Sequence, residues 1–341
     1  MRFQAIVLAL LIPAGIACQT DPSRGESGDH APVPSAAVDA TIRDHHVHLL
    51  SPGLVRDWKG LGVPFSRPDD AYTSYATIRS ARGRVNDAVL VPMAHFYGNE
   101  EFRMGLKLTL EEERARARGE NDHVAAEART AGDGTVAFCS VDYLRPYAWE
   151  EIRRCHSELG SPGLKLHLAS AGTDLRSEKH LDLLTEIAKW AADERVTLLI
   201  HFDPQRRGIN VDDVERFIQR VIEPHPTLVS VIPHLGGSGG YGRWTQSVFG
   251  VFSDWAARNP DHRIYFDISA AVLESESEGV PASTEEELTL FAASLRRAGF
   301  DRLLFATDYP LTTADRYATF LRNRAGLTEE ELARLMANRL P

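Results

Sequence analysis

Short apolar runs recur along the chain near 41–48, 87–93, 135–141, 163–168, 196–201, 228–233, 263–269 and 302–307, with helical patterns between most of them. Residues 178–192 place Leu181, Leu184, Ile187 and Ala191 on one helical face, and residues 212–222 do the same with Val214, Phe217, Ile218 and Val221. A capping box from Ser283 to Glu286 predicts the start of a helix over 285–298 that stops at Gly299; Thr328 with Glu331 opens a last helix in the same way. Strands alternating with helices predict a parallel sheet of the α/β class. Eight such units in about 300 residues fit a TIM-like (β/α)8 barrel, although periodicity alone also fits an open, doubly wound sheet. Two segments, 50–70 and 94–120, lack a clear period and are expected to be long loops over the mouth of such a barrel.

The chain opens differently. Residues 1–18 read MRFQAIVLALLIPAGIAC: one positive side chain, an apolar stretch too short to span a bilayer, small residues, then cysteine. This predicts a signal peptide. Its end, Gly15-Ile16-Ala17-Cys18, resembles a bacterial lipoprotein cleavage box, with glycine where leucine is usual. The expectation is an exported bacterial protein, periplasmic or tethered to the outer membrane by lipid on Cys18. Residues 19–40 are polar and rich in Pro, Ser, Gly and Ala, and are expected to form a disordered linker. The folded unit should then occupy 41–341 as one domain.

Composition narrows the partners. The formal net charge is −10, and no basic stripe exists for a nucleic-acid backbone to lie on, so a small-molecule substrate is expected. An oligomer is compatible with the sequence. Of the three cysteines, Cys139 lies in a strand-like run and Cys155 in a helical one; with no CxxC, both are expected to be buried thiols rather than a disulfide.

Chemistry concentrates where the apolar runs end. The first run closes in Asp44-His45-His46-Val47-His48, and on a strand His46 and His48 share a face. Alone, HxH is a weak signal in a chain with 13 histidines. Three further runs end in His201, His234 and Asp308. In a parallel barrel these tips converge on one rim, where active sites lie. Asp44 stands one ligand spacing before His46. Asp267 shares a strand face with Ser269, and Lys165 shares one with His167. In the second unpatterned segment, His95, Tyr97, Arg103 and Lys107 are candidate substrate contacts.

As an ordered set, DHHVHLL, LLIHFDP, VIPHLGG and LLFATDYP resemble the strand signatures of the amidohydrolase superfamily. The similarity is to its amidohydrolase-related branch, which includes aminocarboxymuconate-semialdehyde decarboxylase, and it runs from about Thr41 to the C-terminus. Glu120-Asn121-Asp122 and the run from Ile264 to Ser269 are similar too. The resemblance implies that His46, His48, His201 and Asp308 hold a divalent ion, for which an all-nitrogen and oxygen set suits one zinc, or manganese, iron or cobalt. It further implies that Asp308 and His234 are catalytic; by their positions, Lys165, His167, His95 and Arg103 are expected to meet substrate, and Asp44 and Asp267 to orient the ligands. Lys165 is ambiguous: in some superfamily members a lysine at this strand is carboxylated and bridges two metals, whereas here it is read as a positive charge for an acidic substrate. The metal would supply hydroxide from bound water, so the expected reaction is hydrolysis of an amide, ester or lactone. The same motifs also fit a non-oxidative decarboxylase, and a surface-tethered binding protein is the third reading. The string Gly237-Ser-Gly239-Gly-Tyr-Gly242 matches GxGxxG, but it follows His234 rather than a first strand, so it is read as a loop beside the site and not as a dinucleotide motif. The basic run of Arg114, Arg116 and Arg118 is bounded by glutamates at 111–113 and 120 and reads as a solvated helix face.

Overall fold

The computed structural model describes residues 42–341 apart from 82, 84, 133 and 204–207, so the predicted leader, Cys18 and linker lie outside the described residues. Nine strand segments are present among those described: β1 (Ile42–His48), β2 (Val85–Val91), β3 (Val136–Ala137), β4 (Cys139–Ser140), β5 (Gly163–His167), β6 (Thr197–His201), β7 (Val229–Ile232), β8 (Arg263–Asp267) and β9 (Leu303–Leu304). All neighbours pair in parallel, in the orders β1-β2-β3 and β4-β5-β6-β7-β8-β9. The two sheets join twice. Segments β3 and β4 are halves of one run interrupted at Phe138, whose N–H donates to Leu90 O at 2.9 Å. At the other seam β1 meets the segment after β9: His45 N–H donates to Phe305 O, Asp308 N–H to His46 O and His48 N–H to Tyr309 O, at 3.0, 2.9 and 3.1 Å. Eight strand positions thus close on themselves.

The period of two along each strand sorts side chains between the two faces. Leu164, Leu166, Leu198, Ile200, Ile264 and Phe266 join the large core beneath the helices. Their alternates Val89, Val91, Leu199, Val231 and Leu304 form a separate cluster with Phe138, which fills the inside of the ring. Gly163 is required there, because a Cβ would lie 2.4 Å from the Phe138 ring. Above this plug, the inward positions turn polar.

Helices α1 (Pro52–Gly60), α2 (Asp70–Thr73) and α3 (Tyr75–Ala81) separate β1 from β2; α4 (Glu100–Leu106) and α5 (Leu110–Ala131) separate β2 from β3. Of the two segments expected to be loops, the first is therefore about half helical and the second largely so. In α5 the buried face is Glu113, Ala117, Glu120, Asn121, Val124, Ala125 and Ala128, too small and polar to read as an apolar stripe. Further on come α6 (Ala148–Ser157), α7 (Glu178–Glu194), α8 (Val211–Phe217), α9 (Arg243–Arg258), α10 (Glu285–Ala298), α11 (Ala314–Asn323) and α12 (Glu329–Ala337). The capping box of α12 is the expected one, but that of α10 is Thr284 with Glu287, one residue beyond the expected pair. Ser283 is engaged elsewhere: its Oγ accepts from Leu273 N–H at 3.0 Å and its N–H donates to Leu273 O at 2.9 Å. The arginine-rich face of α5 is paired rather than merely solvated, with Arg116 2.6 Å from Asp57 and Arg114 on Glu150.

The cysteine expectation is corrected. Cys139 on β4 and Cys155 on α6 form a disulfide, with Cα atoms 6.1 Å apart. Helix α6 follows β4 and folds back against it, a proximity that a separation of 16 residues does not reveal. No helix among the described residues is long and apolar enough to cross a membrane.

Candidate active site

The C-terminal tips of the strands carry a belt of imidazoles. Ring centroids are 4.8 Å apart for His46 and His48, 5.2 Å for His46 and His234, 4.8 Å for His234 and His201, 4.0 Å for His201 and His167, and 4.9 Å for His167 and His95. The strand alternation that paired His46 with His48 on paper places both inside the ring.

Hydrogen bonds fix which nitrogen each ring presents. Nδ1–H of His48 donates to Val91 O at 2.9 Å, leaving Nε2 as a bare lone pair 3.1 Å from Asp308 Oδ1. Nδ1–H of His46 donates to Asp267 Oδ2 at 3.0 Å, and its Nε2 lies 3.7 Å from the same Asp308 oxygen. Three acceptors thus face one another with no proton between them, an arrangement that a cation relieves. Asp308 Oδ1, His46 Nε2 and His201 Nε2 are buried with no hydrogen-bond partner among the described residues. The donor atoms of His46, His48 and Asp308 lie within 4.8 Å of one another, and those of His46, His234 and Asp267 form a second such group. His201 belongs to neither group; its ring stacks on His167 beside them. The residues fit a divalent-metal site.

Protonation states agree with this. Burial, then Lys165, push His46 down to about 3, and burial first of all holds His201 and His95 well below the usual imidazole range. Burial would raise Asp267 and Asp308, but neighbouring imidazoles outweigh it: Asp267 falls to about 2 and Asp308 lies below the usual carboxylate range. Neutral imidazoles and an ionised carboxylate are the forms that ligate a metal.

Asp267 organises the centre. Besides His46, it accepts the N–H groups of His234 and Ser269 on Oδ1, each at 3.1 Å, together with the Ser269 hydroxyl. His234 adopts a left-handed backbone, φ 54°, as does Asp308 at φ 54°, a conformation such residues hold only when their surroundings enforce it. Nδ1–H of His234 donates to Ser269 O at 2.7 Å, and that nitrogen lies 4.0 Å from Asp308 Oδ2. Asp44 acts on backbone rather than on a ligand ring: its carboxylate accepts Thr307 N–H at 3.0 Å, the Thr307 hydroxyl at 2.7 Å and His46 N–H at 3.3 Å.

A pocket opens above the centre. Lys165, His167 and His95 line its floor with the metal donors. Lys165 is 1% exposed, makes no ion pair with a described carboxylate, and is pushed by burial down to about 8 against the opposing pull of Asp308 and Asp267. His95 is held by Ser140, whose Oγ lies 2.6 Å from Nδ1, while Nε2 is buried without a partner among the described residues. The wall is aromatic: Trp58, Phe65, Tyr72 and Phe96, with Trp58 and Phe96 centroids 5.2 Å apart and Phe65 and Tyr72 4.8 Å apart. Ser238, from the glycine string, borders the pocket and donates to Asp203 at 2.8 Å.

Arg103 is not part of this pocket. It lines a separate cleft with Asp142 and Arg145 on the outer side of α4, because the segment that carries it is helical and turns away from the mouth. Tyr97 likewise spends its hydroxyl on Asp57, at 2.8 Å. Sequence reasoning missed Trp58 and Phe65 in the first unpatterned segment, and Tyr72 just beyond it; their signal was an excess of large apolar side chains in and beside a supposed loop. It also missed Glu278, for which no signal exists.

The amidohydrolase family model matches residues 44–338. Gamma-resorcylate decarboxylase from Rhizobium sp. strain MTP-10005 is 22% identical over 243 residues, covering 64% of this chain and 72% of its own length. Among solved structures, a 2,6-dihydroxybenzoate decarboxylase complexed with 2,6-dihydroxybenzoate superposes with a TM-score of 0.60 at 15% identity, over 87% of this chain and 96% of that one. A dihydroxybenzoic acid decarboxylase from Polaromonas sp. JS666, with bound manganese and 2-nitroresorcinol, gives 0.58 at 14% identity over 87% and 94%. These findings correct the expected hydrolase. The motifs specify metal donors, and donors alone do not say which bond breaks; these similar proteins are named decarboxylases.

Proposed function

We propose, from the premise that this chain belongs to the amidohydrolase family, that it is a metal-dependent, non-oxidative decarboxylase of aromatic carboxylic acids. The observation that carries the reading is the pairing, in one pocket, of a buried cation and metal donors at the floor with an aromatic wall. An aromatic carboxylate matches both halves, and the relatives' names point to hydroxylated benzoates.

His46, His48 and Asp308 would hold the ion, with His201 completing the set. The nitrogen and oxygen donors suit manganese or zinc. When bound, the metal would supply positive charge for an anionic substrate. Lys165 adds a second charge at the pocket floor and His95 a polar nitrogen. The aromatic wall holds the ring and excludes water. The reaction adds a proton to the ring carbon bearing the carboxylate; the carbon–carbon bond then breaks, its electron pair restores the aromatic ring, and carbon dioxide leaves. The proton comes from the Asp308–His234 pair. The two side chains face each other, with His234 Nδ1 4.0 Å from Asp308 Oδ2.

One ion is the better fit, since in the second donor group Asp267 and His234 are already occupied by protein hydrogen bonds. The readings of residues 1–18 as an export leader and of Cys18 as a lipid anchor would place the enzyme outside the cytoplasm. The Cys139–Cys155 disulfide supports that location, because such bonds persist in oxidising compartments.

The test is the full chain loaded with manganese or zinc, incubated with 2,6-dihydroxybenzoate and related hydroxybenzoates, with carbon dioxide and the phenol product both quantified. Equimolar release, lost in His234→Ala and Asp308→Ala, is expected. Cleavage of an aryl ester or lactone without carbon dioxide release from any acid would refute the assignment.

A further inference from the structure

At the mouth of the pocket, opposite the cationic floor, stands a carboxylate that the reaction above does not use. Residues Leu273 to Ser283 leave the rim after β8 as a strap. Its base is closed by the two Leu273–Ser283 hydrogen bonds, and its tip by Ser277 N–H to Val280 O at 3.0 Å and Val280 N–H to Ser277 O at 2.9 Å. The two tip residues, Glu278 and Gly279, have φ of 48° and 84°. That is the two-residue hairpin turn in which Asn or Asp usually precedes Gly. A glutamate in the left-handed position carries a conformational cost that its backbone does not need.

The side chain shows what it does there. Glu278 lines the pocket. Its Oε1 accepts the Tyr72 hydroxyl at 3.1 Å and the Ser66 hydroxyl, so two residues from the segment between β1 and β2 hold it. Tyr72 is itself held by Arg67 N–H at 3.2 Å. Oε2 takes no hydrogen bond from a described residue, and a carboxylate oxygen has acceptor capacity to spare. Lys165 sits at the floor on β5 and Glu278 at the half-exposed rim, with the aromatic wall between them. The pocket is therefore polarised along its depth: cationic below, apolar in the middle, anionic above.

We infer that Glu278 selects the substrate: it receives a hydrogen-bond donor, a hydroxyl or amino group, on the ring position opposite the carboxylate, and it repels acids with a second anionic group there. The inference deepens the decarboxylase reading and rests on it for the placement of the carboxylate at the floor. With that group fixed, the para carbon is the ring atom that reaches farthest toward the mouth.

Binding tests this independently of turnover. Manganese-loaded full chain is titrated by calorimetry with 2-hydroxybenzoate, 2,4-dihydroxybenzoate and 2-hydroxybenzene-1,4-dicarboxylate. A hydrogen bond to a charged acceptor predicts that 2,4-dihydroxybenzoate binds about tenfold or more tighter than 2-hydroxybenzoate, and that the dicarboxylate binds more weakly than either. In Glu278→Leu the three affinities should converge to within about twofold; Glu278→Gln, the milder change, should admit the dicarboxylate. Equal binding of the three acids by the wild type, an unchanged order in both variants, or no binding of any would overturn the inference. Carbon dioxide release, read on the same samples, reports on the reaction instead. The expected order without release keeps Glu278 as the discriminator and removes the decarboxylase; release without the order does the reverse.

Discussion

Replacing Asp267 by Asn should separate metal binding from folding. The native carboxylate accepts four hydrogen bonds: three on Oδ1, from His234 N–H, Ser269 N–H and the Ser269 hydroxyl, and one on Oδ2, from His46 Nδ1–H. An amide keeps one acceptor oxygen. Three donors converge on Oδ1, so the carbonyl takes that side and the NH2 faces His46. Two donors cannot share a contact of 3.0 Å. The His46 ring resolves the conflict by moving its proton to Nε2, with Nδ1 becoming the acceptor. The proton then occupies the lone pair that points at Asp308 and the metal. Exchanging a charged for a neutral acceptor at three hydrogen bonds costs about 2 kcal/mol of stability, too little to unfold the chain. Loss of such a ligand-orienting partner weakens metal binding about 10- to 100-fold, or roughly 1.4 to 2.8 kcal/mol. Competition with a chromophoric chelator measures the affinity, and a denaturant melt of metal-free protein measures the stability. A folded variant whose manganese and zinc affinities stay within about twofold of wild type would show that Asp267 does not set the His46 tautomer.

Lys165 titrates near pH 8 in the folded chain but near 10.5 when unfolded, so between these values only the unfolded chain keeps the proton. Stability should therefore rise with pH across that window, by about 3 kcal/mol, and benzoate affinity should fall as the pH passes 8; Lys165→Met should abolish both trends in melts and titrations. Asp142, outside the site, is pushed up by burial to about 7 from 3.8. Here the folded chain keeps the proton that the unfolded chain loses, so stability should fall between pH 4 and 7, by about 4 kcal/mol at most, and Asp142→Asn should flatten the slope of stability against pH. Reducing the Cys139–Cys155 disulfide, which spans 16 residues, should cost about 3 kcal/mol in a denaturant melt by freeing the unfolded chain. An unchanged midpoint under full reduction would contradict that.

The sequence reveals what depends on local periodicity. Strand alternation put His46 and His48 on one face, and the apolar runs named His201, His234 and Asp308 because each run ends where the inside of the ring turns from plug to site. What it hid depends on partners. Helix α5 buries Glu113, Glu120 and Asn121 against polar groups, so it has no apolar stripe to read. Glu120, for example, accepts Ser51 N–H at 2.8 Å and Met93 N–H at 3.3 Å, binding the loops after β1 and β2 to the helix. Arg103 looked like a site residue because its segment looked like a mouth loop. The α10 cap moved by one residue because Ser283 had a different bond to make. The catalytic outcome was not legible either, since the same donors serve bond cleavage by water and loss of carbon dioxide.

The seam of the ring runs through the metal centre. His46 and His48 come from the first strand and Asp308 from the end of the last, and the three backbone hydrogen bonds that join those strands alternate with the ligands themselves. A loop of some 260 residues must close before these groups meet. The entropy of that closure grows only slowly with length. The ion then acts as a latch. With donors from both sides of the seam, a bound ion would oppose the separation of the two strands, by an amount that rises with the logarithm of its concentration. Metal supply should therefore set how long a finished molecule survives as well as whether it works, and a nascent chain lacking its eighth strand position should ignore the metal altogether.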